Sequence, residues 1–283
     1  MVQIRVGKIP KDAELNSTFH SVLEQSLNRR GLRLGEVCRA KDVMARRVLE
    51  EYGAMFVASD SVLVPPRCVF TSEEEVQAFQ RAATFRAEAF GEFTIELQPA
   101  AMDALLEARE EVRSLGLDIT PRDGSEAGRR SYSDTLRLWN TRFLPALEHW
   151  AAQGRLSPEE AERLRSLAPH EQVAEVLELE REGIFFSKDF SKTILQSVAA
   201  PGTSPHLSMY AFDAVEFKDE RVRRVLARHG WFQTVASDLP HFTFLGLEET
   251  ELPAHGLRTV EACGQLFWIP DIEEVRGQRS EVT

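Results

Sequence analysis

The chain has 283 residues, of which 43% are apolar and 28% charged, with a formal net charge of -11. That composition describes a globular protein long enough to bury a sizeable core. The acidic balance leaves no excess of Lys and Arg to neutralise a phosphate backbone, so nucleic acid is excluded as an expected partner. No run reaches the length of a membrane span, and the first residues, MVQIRVGKIPKDAELN, lack the apolar core of an export signal. Cys38, Cys68 and Cys263 have no C-x-x-C spacing. They read as small buried hydrophobes rather than as a disulfide scaffold or a Cys-type zinc site.

FHSVLEQSLNRRG (19–31) reads as a helix, and KDVMARRVLEEYG (41–53) as a second, with Val43, Met44, Val48 and Leu49 on one face and Gly53 as its stop. AMFVA (54–58) and VLVPPRCVF (62–70) are expected to be short strands, the latter bent at Pro65 and Pro66. TSEEEVQAFQRAA (71–83) has a Thr/Ser cap and an acidic first turn, so it is a helix. FTIEL (93–97) alternates as a strand, residues 98–116 form a strong helix, and LDIT (117–120) reads as a buried strand. Residues 131–150 form a helix interrupted near Pro145, and residues 156–183 form two charged amphipathic helices, the first with Pro158 in its first turn. Downstream, SMYAFDAVEF (208–217) is strand-like, ERVRRVLARHGWF (220–232) is a helix ending near Gly230, and PHFTFLG (240–246) is a strand. GLRTVEAC (256–263) and QLFWIPD (265–271) pair as a terminal hairpin. Helices and strands alternate without a regular βαβ rhythm. The expected class is therefore α+β, a small mixed or antiparallel sheet with flanking helices.

One stretch carries chemistry. GTSPHLSMYAFD (202–213) sets His206 and Asp213 seven positions apart among small and apolar residues, framed by Ser204 and Ala211 as S-x-H-x4-A-x-D. A third donor follows in SDLPHFTFLG, where His241 opens an apolar strand and Asp238 stands three residues before it. Two imidazoles and one carboxylate are a common zinc set that leaves a coordination position open, and a neighbouring carboxylate can take a proton from an activated water. Of the remaining histidines, His20, His149, His170 and His255 lie in helices or linkers without a partnered carboxylate at ligand spacing. His229 falls at a helix C-terminus, where a cation suits the dipole. Trp231 and Phe232 read as core or cleft wall.

Taken in order, these motifs resemble the zinc D-Ala-D-Ala carboxypeptidases, peptidoglycan metallopeptidases that share the hedgehog-type fold. That family carries S-x-H-x-x-G-x-A-x-D, then an acidic residue three before a His, and upstream a turn on which Arg130, Ser131 and Tyr132 fall here. The resemblance spans about residues 95–246, interrupted by a helical insertion at about 141–190, with an N-terminal extension (1–94) and a C-terminal hairpin and tail (247–283) on either side. It implies one zinc held by His206, Asp213 and His241, with Asp238 as general base. It also implies Arg130 as the clamp on the substrate's terminal carboxylate, with Arg122 and Arg129 as rivals for that role. Ser131 and Ser204 are implied in substrate binding. The implied substrate is a peptidoglycan-derived peptide of the cell envelope. The alternatives are a non-catalytic binding module on the same fold, a murein endopeptidase, or another zinc amidohydrolase. The sequence departs from the family at Met209, where a Gly is usual, at Asp238, where Glu is commoner, and at Thr243, where the H-x-H endopeptidases have His. A Gly-only backbone conformation is not expected at Met209.

Overall fold

The structure, a computed structural model, describes residues 18–39 and 43–272. Residues 1–17, the first two residues of the helix expected at 41–53 and the end of the C-terminal tail lie outside the described residues, and with them the N-terminal stretch read for an export signal. In chain order the elements are α1 (Thr18–Arg29), α2 (Leu34–Val37), α3 (Val43–Tyr52), α4 (Glu73–Ala83), β1 (Arg86–Phe90), β2 (Phe93–Leu97) and α5 (Pro99–Ser114). Then come α6 (Tyr132–Ala152), α7 (Pro158–Ser166), α8 (Pro169–Arg181), β3 (Ala211–Asp213), α9 (Glu220–Arg228), β4 (Trp231–Phe232), β5 (His241–Phe244), β6 (Leu257–Ala262) and β7 (Gln265–Pro270). All strand pairs are antiparallel: the hairpins β1–β2 and β6–β7, and a three-stranded sheet ordered β3-β5-β4. The chain is thus α+β with small antiparallel sheets. Among the described residues no helix is long and apolar enough to cross a membrane.

The helix starts follow their caps. Ser72 accepts from the Glu75 N–H ahead of three glutamates in the first turn of α4, and Ser131 and Ser157 form reciprocal capping boxes with Asp134 and Glu160. Four expectations are corrected. AMFVA is not a strand: Gly53–Val57 is a fully buried 3-10 turn, a case in which an apolar run does not distinguish strand from helix. VLVPPRCVF forms no strand, because Pro65 and Pro66 remove two successive ladder donors. LDIT is not a strand: the segment meets the chain after β3 only at its end, where Thr120 accepts from the Val215 N–H at 2.9 Å and the next residue, Pro121, makes an isolated bridge to Ala214 that its missing N–H does not extend. The helix at Pro145 is unbroken from Tyr132 to Ala152. The strand β1 had no matching expectation, since RAEAF presents mostly exposed polar and small residues.

Cys38 and Cys68 are joined in a disulfide with their Cα atoms 5.3 Å apart, and the Cys68 N–H donates to the Val37 carbonyl at 2.8 Å. Cys263 is free and exposed. The reading of all three as independent buried hydrophobes is therefore replaced.

One hydrophobic cluster joins Phe19 and Leu23 of α1, Ile95 of β2, Met102 of α5, Phe212, Trp231 and Phe242 of the three-stranded sheet, and Leu257 of β6. The segments before residue 95 and after 246 thus share a core with the sheet that carries the histidine motifs. A second cluster, built on Trp139, Phe143, Val173, Val176 and Phe186, holds α6, α7 and α8 together. Each such side chain contributes about 1.5–3 kcal/mol by leaving water, so the α6–α8 segment has a core of its own.

Candidate metal centre

The sheet places two of the three expected ligands. In the antiparallel pair β3–β5, Asp213 lies directly opposite His241 and Phe212 opposite Phe242. Strand alternation sends the phenylalanines into the core and turns Asp213 and His241 together to the other face. His206 comes from the 3-10 turn Pro205–Ser208, which runs directly into β3 through Met209. Met209 is buried and left-handed, with φ at 57°. The expectation that this position avoids such a backbone is corrected: the left-handed basin costs a non-glycine residue about 1–2 kcal/mol, which burial of the Met side chain offsets. Gly202 enters the same loop at φ 77°, and a Cβ there would meet the Phe70 carbonyl oxygen at 1.9 Å. Neighbouring amides fix the loop. Gln80 Nε2 donates to the Leu207 and Arg130 carbonyls at 3.1 and 2.9 Å, and Gln98 Nε2 donates to the Ser208 carbonyl at 2.8 Å. Such partners satisfy carbonyls that would otherwise be buried alone.

Three donor atoms converge. His206 Nε2 is 3.1 Å from His241 Nδ1 and 3.2 Å from Asp213 Oδ1, and His241 Nδ1 is 3.2 Å from the same oxygen. A tetrahedral ion with bonds of about 2.0–2.1 Å spaces its ligand atoms by about 3.3–3.4 Å, so the triangle has nearly the required size. The outer contacts set the tautomers. His206 Nδ1 lies 2.8 Å from the Gly128 carbonyl, which only accepts, so Nδ1 carries the proton and Nε2 keeps its lone pair. His241 Nε2 lies 3.2 Å from Thr243 Oγ1, which in turn shares a 2.7 Å hydrogen bond with Thr234. With that nitrogen donating to Thr243, two lone pairs and a carboxylate oxygen face one point among buried side chains. A cation resolves that repulsion, and the set His206, Asp213 and His241 fits a metal ion.

Charge in the site follows from burial. Desolvation, reinforced by the Arg130 cation, pushes the His206 pKa down to about 4, so the ring is neutral and ready to ligate at pH 7. Burial alone would raise the Asp213 carboxyl, but the attraction and hydrogen bonds of His206 and His241 outweigh it and hold the group well below the usual carboxylate range. Asp238 stands at the rim, open to solvent on one side, yet desolvation by the concave wall and then the Asp213 charge raise its pKa. A raised carboxyl is better matched to accepting and returning a proton near neutrality.

These residues line one cavity of about 470 Å3, together with Ser204 and Arg130. Arg130 is engaged there: Nη2 donates to Asp213 Oδ2 at 2.7 Å and Nε to the Glu126 carbonyl at 3.0 Å. Ser131 is not on the cavity wall. Its hydroxyl caps α6 and donates to Asp134 at 2.6 Å. Of the rival arginines, Arg129 pairs with Glu96 at 2.8 Å away from the cavity, whereas Arg122 lines it. Among the cavity residues that sequence reasoning missed are Tyr52 at the end of α3 and Arg142 on α6. Burial and the nearby acids Glu51 and Asp238 raise the Tyr52 hydroxyl well above its ordinary value, so it stays a neutral donor. The signal that could have found Arg142 is the helical spacing from Thr135 through Leu138 to Arg142. No protein-family model matches the chain, and no curated protein matches it.

Proposed function

We propose that this protein is a zinc-dependent hydrolase of the D,D-carboxypeptidase type, on a hedgehog-like fold, cleaving a peptide bond in peptidoglycan stem peptides or D-Ala dipeptides. The convergence of His206 Nε2, His241 Nδ1 and Asp213 Oδ1 beside the Asp238 carboxyl carries this reading. Two nitrogens and one oxygen at tetrahedral spacing suit zinc, and three protein ligands are the number typical of a catalytic rather than a structural site. When bound, zinc polarises the scissile carbonyl and acidifies a water molecule. Asp238 accepts the proton of the attacking water and returns it to the leaving amine. Arg130 ties down Asp213 Oδ2, which leaves Oδ1 turned towards the histidines. The Cys38–Cys68 disulfide supports an oxidising compartment such as the cell envelope.

The test pairs metal analysis with turnover. The purified protein should carry about one zinc per chain and release D-Ala from a peptide ending in D-Ala-D-Ala. His241→Ala should lose both properties, and Asp238→Asn should keep zinc but lose on the order of 10²-fold or more in rate. Full zinc occupancy in His241→Ala would refute the ligand set. A zinc-loaded wild type without turnover would leave a binding module instead of an enzyme.

A further inference from the structure

We propose that Arg142, on the wall that the helical insertion contributes to the cavity, binds a carboxylate of the substrate, the role that resemblance assigns to Arg130. This deepens the peptidase reading and rests on it.

Arg130 is poorly free for that role. The Nε and Nη2 edge of its guanidinium is taken by the Glu126 carbonyl and Asp213 Oδ2, and its charge is neutralised by a buried carboxylate. What separates the two arginines is therefore charge: an incoming carboxylate at Arg130 would have to compete with the Asp213 carboxylate already paired there.

Arg142 is held differently. Nε donates to Ser197 Oγ at 2.9 Å, and Nη1 donates to Thr141 Oγ1 at 2.8 Å while lying 3.5 Å from the Thr141 carbonyl. That carbonyl has lost its usual helical partner, because the residue four positions on is Pro145, which has no N–H. The side chain is thus pinned entirely by neutral oxygens. Among the described residues no carboxylate lies within ion-pair distance of Arg142, and Nη2 makes no hydrogen bond. A half-buried, oriented cation with a free amino group on the wall of a metal cavity is built to receive an anion. Because it is already immobilised, little side-chain entropy is lost on binding. The other open cation, Arg122, is exposed, lies over the Phe217 ring and has Asp123 at 3.8 Å, so it is both looser and partly neutralised.

The ligand chemistry is a carboxylate, supplied either by a free peptide C-terminus or by an acidic side chain. The experiment uses full-length, zinc-loaded Asp238→Asn protein, in which turnover is slowed, and measures binding by calorimetry. Three peptides are compared: N-acetyl-D-Ala-D-Ala, its C-terminal amide, and the amide with Glu in place of the first D-Ala. The free acid should bind about 10- to 100-fold more tightly than the amide, the range for a charge-assisted pair. Adding Arg142→Gln should erase that preference while leaving amide affinity and zinc content unchanged, and Arg142→Lys should retain part of it. If the glutamyl amide matches the free acid and loses its affinity in Arg142→Gln, the recognised group is a side chain. If only the free acid responds, it is the C-terminus. An acid preference that survives Arg142→Gln, or equal binding of all three peptides, overturns the subsite and leaves the peptidase reading standing. Failure of the zinc-loaded protein to bind any of the three overturns both.

Discussion

Removing the Thr243 hydroxyl while keeping its shape tests how the metal centre is prepared. Thr243 Oγ1 stands 3.2 Å from His241 Nε2 and 2.7 Å from Thr234 Oγ1, with all three side chains buried. In Thr243→Val the volume is nearly conserved, but the His241 Nε2–H loses its acceptor. The alternative tautomer then gains ground, since a proton on Nδ1 points at Asp213 Oδ1, 3.2 Å away. That proton must be displaced before a metal can bind. A lost neutral hydrogen bond and an unpartnered buried donor together cost about 1.5–3 kcal/mol. The expected loss in zinc affinity is therefore about 10- to 100-fold, the usual scale for partners that orient a ligating histidine. Competition with a chromophoric chelator measures it, with Thr243→Ser as the control that keeps the hydroxyl. Urea unfolding of the metal-free variants separates general destabilisation from loss of ligand orientation. Unchanged zinc affinity in Thr243→Val would refute the assignment of Nδ1 as the His241 donor atom.

Two further outcomes follow from the same structure. In the metal-free protein His206 titrates near 4 when folded and near 6.5 when unfolded, so the unfolded chain binds the extra proton between those values. Stability should be full above pH 6.5 and fall by up to about 3 kcal/mol towards pH 4; denaturant titrations at each pH that show no such slope, or the same slope in His206→Gln, would contradict this. Breaking the Cys38–Cys68 bond, which closes a loop of sequence separation 30, should lower stability by roughly 3–4 kcal/mol, read as the shift in urea midpoint between Cys38→Ser/Cys68→Ser and wild type; equal midpoints would show the cross-link to be energetically silent.

The sequence alone determined α4 and α7 through their serine caps and α5 and α8 through a first-turn proline and clear periodicity, because those signals act within a few residues. It also determined the donors of the candidate metal site. His206 and Asp213 flank one turn-to-strand step, and His241 opens an apolar strand, so residue type and local spacing carried the information. Tertiary structure alone decided the β3–β5 register, which sets Asp213 against His241, because strand pairing between segments 28 residues apart leaves no mark in either segment. The Cys38–Cys68 pairing was equally hidden, since connectivity depends on which loops fold together. The roles of the arginines were the most dependent on the fold. Arg130, Arg122 and Arg142 are chemically identical in the sequence. Only the folded chain gives Asp213 to the first, Asp123 to the second and uncharged oxygens to the third, because electrostatic partnership is a matter of distance in space and not of order along the backbone.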